Sequence, residues 1–256
     1  MKILINDKMQ FASGVPAEIK SPALADRYNA SVTFTATFDD AETVNCIGIG
    51  YTDATEITII TIDVGKFYPL TFDSQPAYID GVQWIVNGIT TSQTITLPVR
   101  TDITRKYNNG LYLLTEMTSD SYTITHNGKY IGRVGIGEYR TLGTAPSKEI
   151  GFYTTTESRE TLSGQTIPGA GGYYGRRFVA DVRYKFTEEI YNDLETAYQT
   201  QIQRSFPYFL LLDDEQHKVP DTMLHFYAAS DKPLSLLQSS SYKFLYSYKF
   251  NFEERF

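Results

Sequence analysis

The chain has 256 residues, of which 41% are hydrophobic and 14% aromatic, and its formal net charge is −7. This apolar content is enough for a packed core and excludes a largely disordered chain, while the length predicts one large all-β domain or, preferably, two smaller domains. The acidic balance argues against direct binding of nucleic acid, because phosphates select clustered Lys and Arg.

The first predicted element is a short strand at residues 1–8. Charged residues interrupt this stretch before the apolar region of a signal peptide can develop, so we expect assembly in the cytoplasm. No apolar run approaches the roughly 20 residues of a membrane helix, so membrane insertion is not expected. Cys46, the only cysteine, lies in an apolar run, which predicts a buried thiol and excludes an intrachain disulfide or a zinc–thiolate cluster.

Three strands are predicted next. Apolar and hydroxyl residues alternate over residues 32–38, which places one side of a strand in a core and the other in water. The acidic residues 39–42 are expected to break this strand, and residues 44–50 and 56–64 form the second and third strands. Shorter candidate strands follow at residues 68–72, 83–86, 93–99 and 110–114.

The clearest turn signal is Asn127-Gly128, which lies between two strand-like runs at residues 122–126 and 129–131. Asn-Gly is the preferred pair in a two-residue turn with positive φ at both positions, so the sequence predicts a β-hairpin here. The nearby Gly132, Gly135 and Gly137 indicate positions where backbones approach closely or a strand is distorted.

The amino-acid composition of the chain changes near residue 141, where a polar stretch containing Pro146 begins. We therefore predict a β-sandwich domain at residues 1–140 and a smaller α+β domain at residues 141–256, so the fold class is mainly β. The glycine-rich residues 162–175 are predicted to form a long loop, since they are too rich in glycine for an ordinary strand.

One helix is predicted in the second half, from Thr187 toward Arg204. Apolar residues recur there at spacings of three and four, Thr187 is a suitable N-cap, and Phe206-Pro207 ends the pattern. The continuous apolar run at residues 208–212 predicts a strand covered on both faces. Alternating aromatic residues predict a closing strand over residues 242–252.

Residues able to do chemistry are scarce. The three histidines leave few candidates for acid–base catalysis, and the charged stretch around His217 is better explained as a turn than as a metal site. Gly169 and Gly171 lack the strand, lysine and helix of a phosphate-binding loop. Trp84 and the tyrosines could form a sugar platform, but core packing is favoured. We therefore expect no enzyme activity, cofactor or metal.

Residues 18–28, followed by the strand at 34–38 and the run at 44–50, resemble the opening of a discoidin or galactose-binding-like domain. The resemblance implies a jelly-roll sandwich whose ligands meet loops at one end. It makes Asp26, Arg27 and Tyr28, supported by Trp84, the candidate ligand-binding residues.

The second half resembles the distal-tail and related ring-forming proteins of tailed bacteriophages, on residues 151–155, 162–165, 177–184, the predicted helix, residues 206–210 and the aromatic closing strand. The resemblance implies a non-enzymatic component of the virion tail or baseplate that forms a homo-oligomeric ring and contacts other tail proteins. The candidate interface residues are Gly164, Pro168, Gly171, Tyr173 and Tyr174. The alternative is a carbohydrate-binding module that recognises a surface glycan of the host; a glycosidase is a third possibility.

Overall fold

A computed structural model describes part of the chain: residues 1–23, 26–29, 32–63, 71–72, 75–76, 89–97, 108–141, 147–155, 158–160, 166–168, 173–185, 192, 195, 199, 207–212, 225–230, 235–238 and 245–254. Within these residues the protein is mainly β, which confirms the predicted fold class. Over the same ranges no helix has the length and apolar character needed to cross a membrane.

The strands are, in chain order, β1 (Lys2–Leu4), β2 (Thr33–Thr52), β3 (Glu56–Asp63), β4 (Thr71–Phe72), β5 (Gln75–Pro76), β6 (Ile89–Thr96), β7 (Asn108–His126), β8 (Val134–Gly137), β9 (Tyr139–Thr141), β10 (Ser147–Thr155), β11 (Ser158–Glu160), β12 (Thr166–Pro168), β13 (Tyr173–Lys185), β14 (Tyr208–Leu211), β15 (His225–Ser230), β16 (Ser235–Gln238) and β17 (Leu245–Glu254). A 3-10 helix at Lys8–Gln10 and the short helix α1 (Ala17–Lys20) lie between β1 and β2.

These strands form two large antiparallel sheets. The five-stranded sheet has the order β6-β3-β7-β2-β8, and the eight-stranded sheet has the order β10-β13-β17-β15-β14-β1-β9, with β16 also paired to β17. Two small hairpins, β4–β5 and β11–β12, complete the described strands. Both halves of the chain therefore contribute to the eight-stranded sheet.

The main core lies on the inner side of the five-stranded sheet. Its buried side chains alternate along β2, β3 and β7 as a period of two requires, and they include Phe34, Ile47, Ile59, Tyr112 and Ile124. A second cluster joins the two sheets, where Cys46 and Leu111 pack with Phe209 and Tyr227 of the eight-stranded sheet. The C-terminal part of β2 and the N-terminal part of β7 are therefore buried on both faces.

The predicted strand break at residues 39–42 is wrong. β2 continues from Thr33 to Thr52, and the pairing of β2 with β7 shifts in register between Thr37 and Glu42. Asp39, Asp40 and Ala41 are all exposed there. A β-bulge holds extra residues outside the ladder without ending the strand, so acidic residues at this position do not require a turn.

The predicted hairpin at Asn127-Gly128 is also wrong. β7 ends at His126. The next strand, β8, does not pair with β7; it pairs with β2, along the edge of β2 that faces away from β7. The Asn127 side chain accepts hydrogen bonds from the backbone N–H groups of Thr55 and Glu56, at 2.9 and 3.0 Å. Asn127 therefore caps the start of β3, and this non-local contact replaces the two-residue turn.

In the second half, the predicted strand at residues 208–212 is confirmed as β14, with Tyr208, Phe209 and Leu210 buried in succession. The predicted helix has three described residues, Asn192, Glu195 and Gln199, which are helical and exposed. Its apolar side, from Ile190 to Ile202, lies outside the described residues. The prediction of one long loop over residues 162–175 is wrong in part, because β12 and the start of β13 lie within it.

The domain boundary near residue 141 stays a prediction. β9 ends at Thr141 and pairs with β1, and β1 pairs on its other edge with β14. The chain passes from the five-stranded to the eight-stranded sheet between Gly137, the last residue of β8, and Tyr139, the first residue of β9. The N-terminal strand nevertheless hydrogen-bonds to a strand of the C-terminal region.

Candidate functional site

The predicted ligand residues lie where loops meet at one end of the five-stranded sheet. The Arg27 guanidinium lies 4.6 Å from the centre of the Tyr130 ring. The backbones of Tyr28 and Ile131 exchange two hydrogen bonds, of 2.8 and 3.2 Å. The segment that carries Arg27 and Tyr28 is thereby fastened to residues 130–131.

Tyr28 and Asp26 make further contacts within the protein. Tyr28 packs edge-on against the core residue Phe34, with ring centres 6.3 Å apart. The exposed Asp26 carboxylate accepts a hydrogen bond of 2.6 Å from the Ser21 hydroxyl. The fourth predicted ligand residue, Trp84, lies outside the described residues. The structure therefore holds Arg27 and Tyr28 against Tyr130 and Ile131. We call these four residues the loop clamp.

The neighbouring turns hold each other in place. The Asp53 carboxylate accepts hydrogen bonds from the backbone N–H groups of Lys129 and Tyr130, at 2.9 and 3.3 Å. Asn127 makes the reciprocal contacts to the segment after Asp53, as described above. Carboxylate and amide side chains that bind turn N–H groups in this way fix loop geometry.

Three of the five predicted interface residues lie in described strands. Tyr173 and Tyr174 pair with Thr155 and Thr154 where β13 meets β10, and Pro168 pairs with Ser158 in the β11–β12 hairpin. Gly164 and Gly171 lie between these strands in sequence, outside the described residues. β11 and β12 are thus nested between β10 and β13 in the chain.

The pair formed by β10 and β13 extends past the end of β17, their neighbour in the eight-stranded sheet. β17 pairs with β13 only from Arg177 onward, whereas β10 pairs with β13 as far as Tyr173. We call residues 152–155 of β10 and 173–176 of β13 the hairpin arm. In the part of the chain that the structure describes, the arm has no third strand beside it.

A buried arginine joins the two sheets, and sequence reasoning missed it. Arg133 is 3% exposed. Its guanidinium donates hydrogen bonds to the Asp7 carboxylate at 2.7 Å and to the Pro207 carbonyl at 3.1 Å. The same group lies 5.0 Å from the centre of the Phe209 ring. Arg133 therefore connects the N-terminal segment, the loop before β8 and the start of β14.

Phe209 lies on a pair of glycines. Gly48 in β2 and Gly135 in β8 are register partners, and a Cβ at either position would overlap the Phe209 ring. The other contacts of the ring include Tyr227, which stacks on it with ring centres 4.9 Å apart. The prediction of close approach at Gly135 is confirmed, and the same holds at Gly132, where a Cβ would lie 2.5 Å from the Gly50 carbonyl oxygen.

Tyr51 completes this cluster in an unusual backbone conformation. It is fully buried with φ of 61°, a region that costs a non-glycine residue on the order of 1 kcal/mol. Its N–H donates to the Asn109 side chain at 2.8 Å, and its carbonyl accepts from the Gly132 N–H at 3.1 Å. Its ring packs edge-on against Tyr227, with centres 5.3 Å apart.

Burial sets the protonation of this cluster. Burial raises the pKa of Tyr227, and the charge of Arg133 only partly opposes this. Burial acts to lower the pKa of Arg133, but the charges and hydrogen bonds of Asp7 and Tyr227 together outweigh it, so the pKa of Arg133 is raised. Burial, with the carboxylates of Asp7 and Glu138, raises the pKa of the Cys46 thiol. In the described residues, no group of three or more His, Cys, Asp and Glu could hold a metal.

We expect the protein to lose stability at alkaline pH. Cys46 and Tyr227 have raised pKa values in the fold, whereas in the unfolded chain they titrate near about 8.5 and 10. Their contribution is complete below about pH 8 and falls as the pH rises, by up to about 1.4 kcal/mol per pH unit for each group. Urea denaturation at a series of pH values measures this. The variant Cys46→Ala should lose the decline between about pH 8.5 and 9.5, and a wild-type protein without that decline would contradict the expectation.

Comparisons with known proteins add little to this description of the site. No protein-family model matches the chain, and no curated protein does. A chain of the solved structure described as "Virion of native gene transfer agent (GTA) particle" is similar to 46% of this chain over 85% of its own length, with 15% sequence identity and a TM-score of 0.31. A likeness of that degree carries no argument about fold or function, so the functional conclusion rests on the residues and contacts above.

Proposed function

We propose that this protein is a non-enzymatic structural component of a tailed-phage virion, located in the tail or baseplate and acting through protein–protein contacts. The observation that carries the proposal is the hairpin arm, a two-stranded ribbon that extends past its own sheet. The resemblance of residues 151–210 to ring-forming tail proteins supports the same conclusion.

The arm offers a direct way to bind a neighbour. The outer edges of a two-stranded ribbon present backbone N–H and C=O groups, which pair readily with a strand from another chain. An arm on one subunit that contacts a different surface on the next subunit gives a head-to-tail contact, and such contacts close into rings when the rotation allows. The proposed partners are therefore further copies of this chain and other tail proteins.

The test is the mass of the protein in solution, measured by light scattering over a concentration series. We expect a discrete oligomer of ring size. In an arm-deleted variant, residues 152–176 are replaced by Asn-Gly, because Gly151 and Arg177 are register partners that a two-residue turn can join. This variant should be monomeric and keep the circular dichroism spectrum of the parent.

The control for this variant replaces only residues 161–165 with a short turn and so keeps β11 and β12 paired. It should form the same oligomer as the parent if the strands of the arm, and not the loop at its tip, make the contact. A strictly monomeric parent chain, or an arm-deleted variant that still forms the full oligomer, would contradict the proposal.

A second candidate function is recognition of a host-surface glycan by the loop clamp. The convergence of Arg27 and Tyr28 with the loop at residues 127–131 favours it. The Tyr130 face that a sugar would stack on is covered by Arg27, which makes it the weaker candidate. A glycan array probed with the isolated protein separates the two functions, because a sugar-binding module needs no assembly partner.

A further inference from the structure

The five-stranded sheet is bent, and its two parts share one core. β3 and β6 continue the sheet from residues 122–126 of β7, whereas β8 continues it from residues 46–49 of β2. The β-bulge in β2 lies between these parts, and a bulge bends the strand that carries it. Ile59 from the first part and Ile136 from the second belong to the same buried cluster. The bend brings the edge strand β6 close to the N-terminal part of β7.

A single side chain joins β6 to this part of β7. The Gln93 amide donates a hydrogen bond to the Thr115 carbonyl and accepts one from the Thr115 N–H, both at 2.7 Å. A neighbouring strand would make the same two contacts with its backbone. Among the residues that the structure describes, no other hydrogen bond links β6 with residues 113–117. We call the junction between β6 and residues 113–117 the seam.

The seam is held less firmly than the other strand junctions of the sheet. β3 pairs with β6 over its whole length and with β7 over residues 57–61, so many backbone hydrogen bonds must break together to separate those strands. At the seam both hydrogen bonds end on one flexible side chain, and Thr115 is exposed, so water can replace them. Parts of a protein held by few, exposed hydrogen bonds open while the rest stays folded.

Apolar side chains lie behind the seam. Ile95 of β6 and Leu114 of β7 are half-buried, and they pack against the main core from the two sides of the junction. Opening the seam would therefore expose both side chains together with the backbone edge of residues 113–117. An exposed strand edge beside apolar side chains can pair with another strand.

We propose that the five-stranded sheet opens at the seam and that the Gln93 side chain keeps it closed. When the Gln93 amide releases Thr115, β6 separates from residues 113–117, while the pairing of β3 with β7 stays intact. This conformational change takes place in the N-terminal half of the chain and does not involve the hairpin arm. It therefore goes beyond the proposed function, and either can fail without the other.

Hydrogen exchange of the full-length chain, followed by mass spectrometry, tests the opening. In the wild type, residues 113–117 should exchange faster than residues 122–126, which pair with β3. Gln93→Ala should speed the exchange of residues 113–117 by roughly tenfold, because it removes both hydrogen bonds to Thr115. Residues 122–126 should keep their rate of exchange.

The matched control is Thr94→Ala. Thr94 is the next residue of β6, is exposed, and bonds through its hydroxyl to Thr58 at 3.0 Å instead of to β7. This variant should leave the exchange of residues 113–117 unchanged. The proposal would be overturned if Gln93→Ala had no effect, if it had the same effect as the control, or if it sped exchange equally in residues 122–126.

Thiol labelling gives a second measurement, made on a side chain behind the seam. A maleimide should react slowly with Leu114→Cys, and the addition of Gln93→Ala should speed the reaction by roughly tenfold, as it does the exchange. Ile124→Cys, at a fully buried position beside β3, should resist labelling with either residue at position 93. The native Cys46 is fully buried and gives no background in the folded protein. Labelling of Leu114→Cys at the same rate with and without Gln93 would count against the proposed opening.

Discussion

Replacing Phe209 with alanine should lower the free energy of unfolding by about 3–5 kcal/mol, the usual cost of emptying a buried aromatic site. The ring is 1% exposed and lies directly on Gly48 and Gly135. Because these glycines have no side chains, nothing on their side of the ring can move into the cavity. Guanidinium denaturation followed by tyrosine fluorescence measures the change.

Phe11→Ala is the matched control, because Phe11 is 69% exposed and its truncation leaves no cavity. We expect a change within about 0.5 kcal/mol. Similar losses for the two variants would show that Phe209 does not hold the sheets together through its packing.

Replacing Arg133 with methionine should cost about 3–5 kcal/mol, because it removes one partner of a buried ion pair and leaves the other behind. The Asp7 carboxylate and the Pro207 carbonyl both lose a hydrogen bond. Methionine keeps much of the volume and the contact with Phe209, so the loss reports mainly on charge and hydrogen bonding. Urea denaturation near neutral pH is the measurement.

Two further variants separate the effect of the ion pair from the effect of the contact between arginine and an aromatic ring. Asp7→Asn combined with Arg133→Met should cost less than the sum of the single changes, because each single change already breaks the pair. Arg27→Met changes an arginine that also lies over a tyrosine ring, at 4.6 Å, but is half-buried, so it should cost about 1 kcal/mol or less. Strictly additive effects of Asp7 and Arg133 would contradict the role of the ion pair.

The sequence predicts most of the strands because their signal is local. Alternation over residues 32–38 and 56–64 follows directly from which side of a pleated strand faces the core, and the apolar run at 208–212 reflects burial on both faces. Such local patterns do not show which strands pair with each other. Asn127-Gly128 has the composition of a hairpin turn, yet its side chain caps β3, a contact between positions 72 residues apart.

The contacts between the two sheets could not be predicted from the sequence for the same reason. Asp7, Arg133 and Pro207 lie far apart in the chain, and each alone has an ordinary explanation as a charged surface residue or a helix terminator. The glycines were the sequence signal for this contact between the sheets, since close approach was predicted at Gly135. The residue that approaches it, Phe209, was predicted only as part of a buried strand, and a sequence pattern does not show which two buried surfaces meet.

The position of β1 between β9 and β14 has a consequence for how the protein is made. Lys2 and Ile3 pair with Leu211 and Leu210, so strands at opposite ends of the chain are hydrogen-bonded neighbours. While the ribosome is still synthesising the chain, the five-stranded sheet can form from residues already released, but one edge of β1 has no strand to meet. The eight-stranded sheet can close around β1 only after residue 211 has left the exit tunnel, and contacts so distant in sequence form slowly.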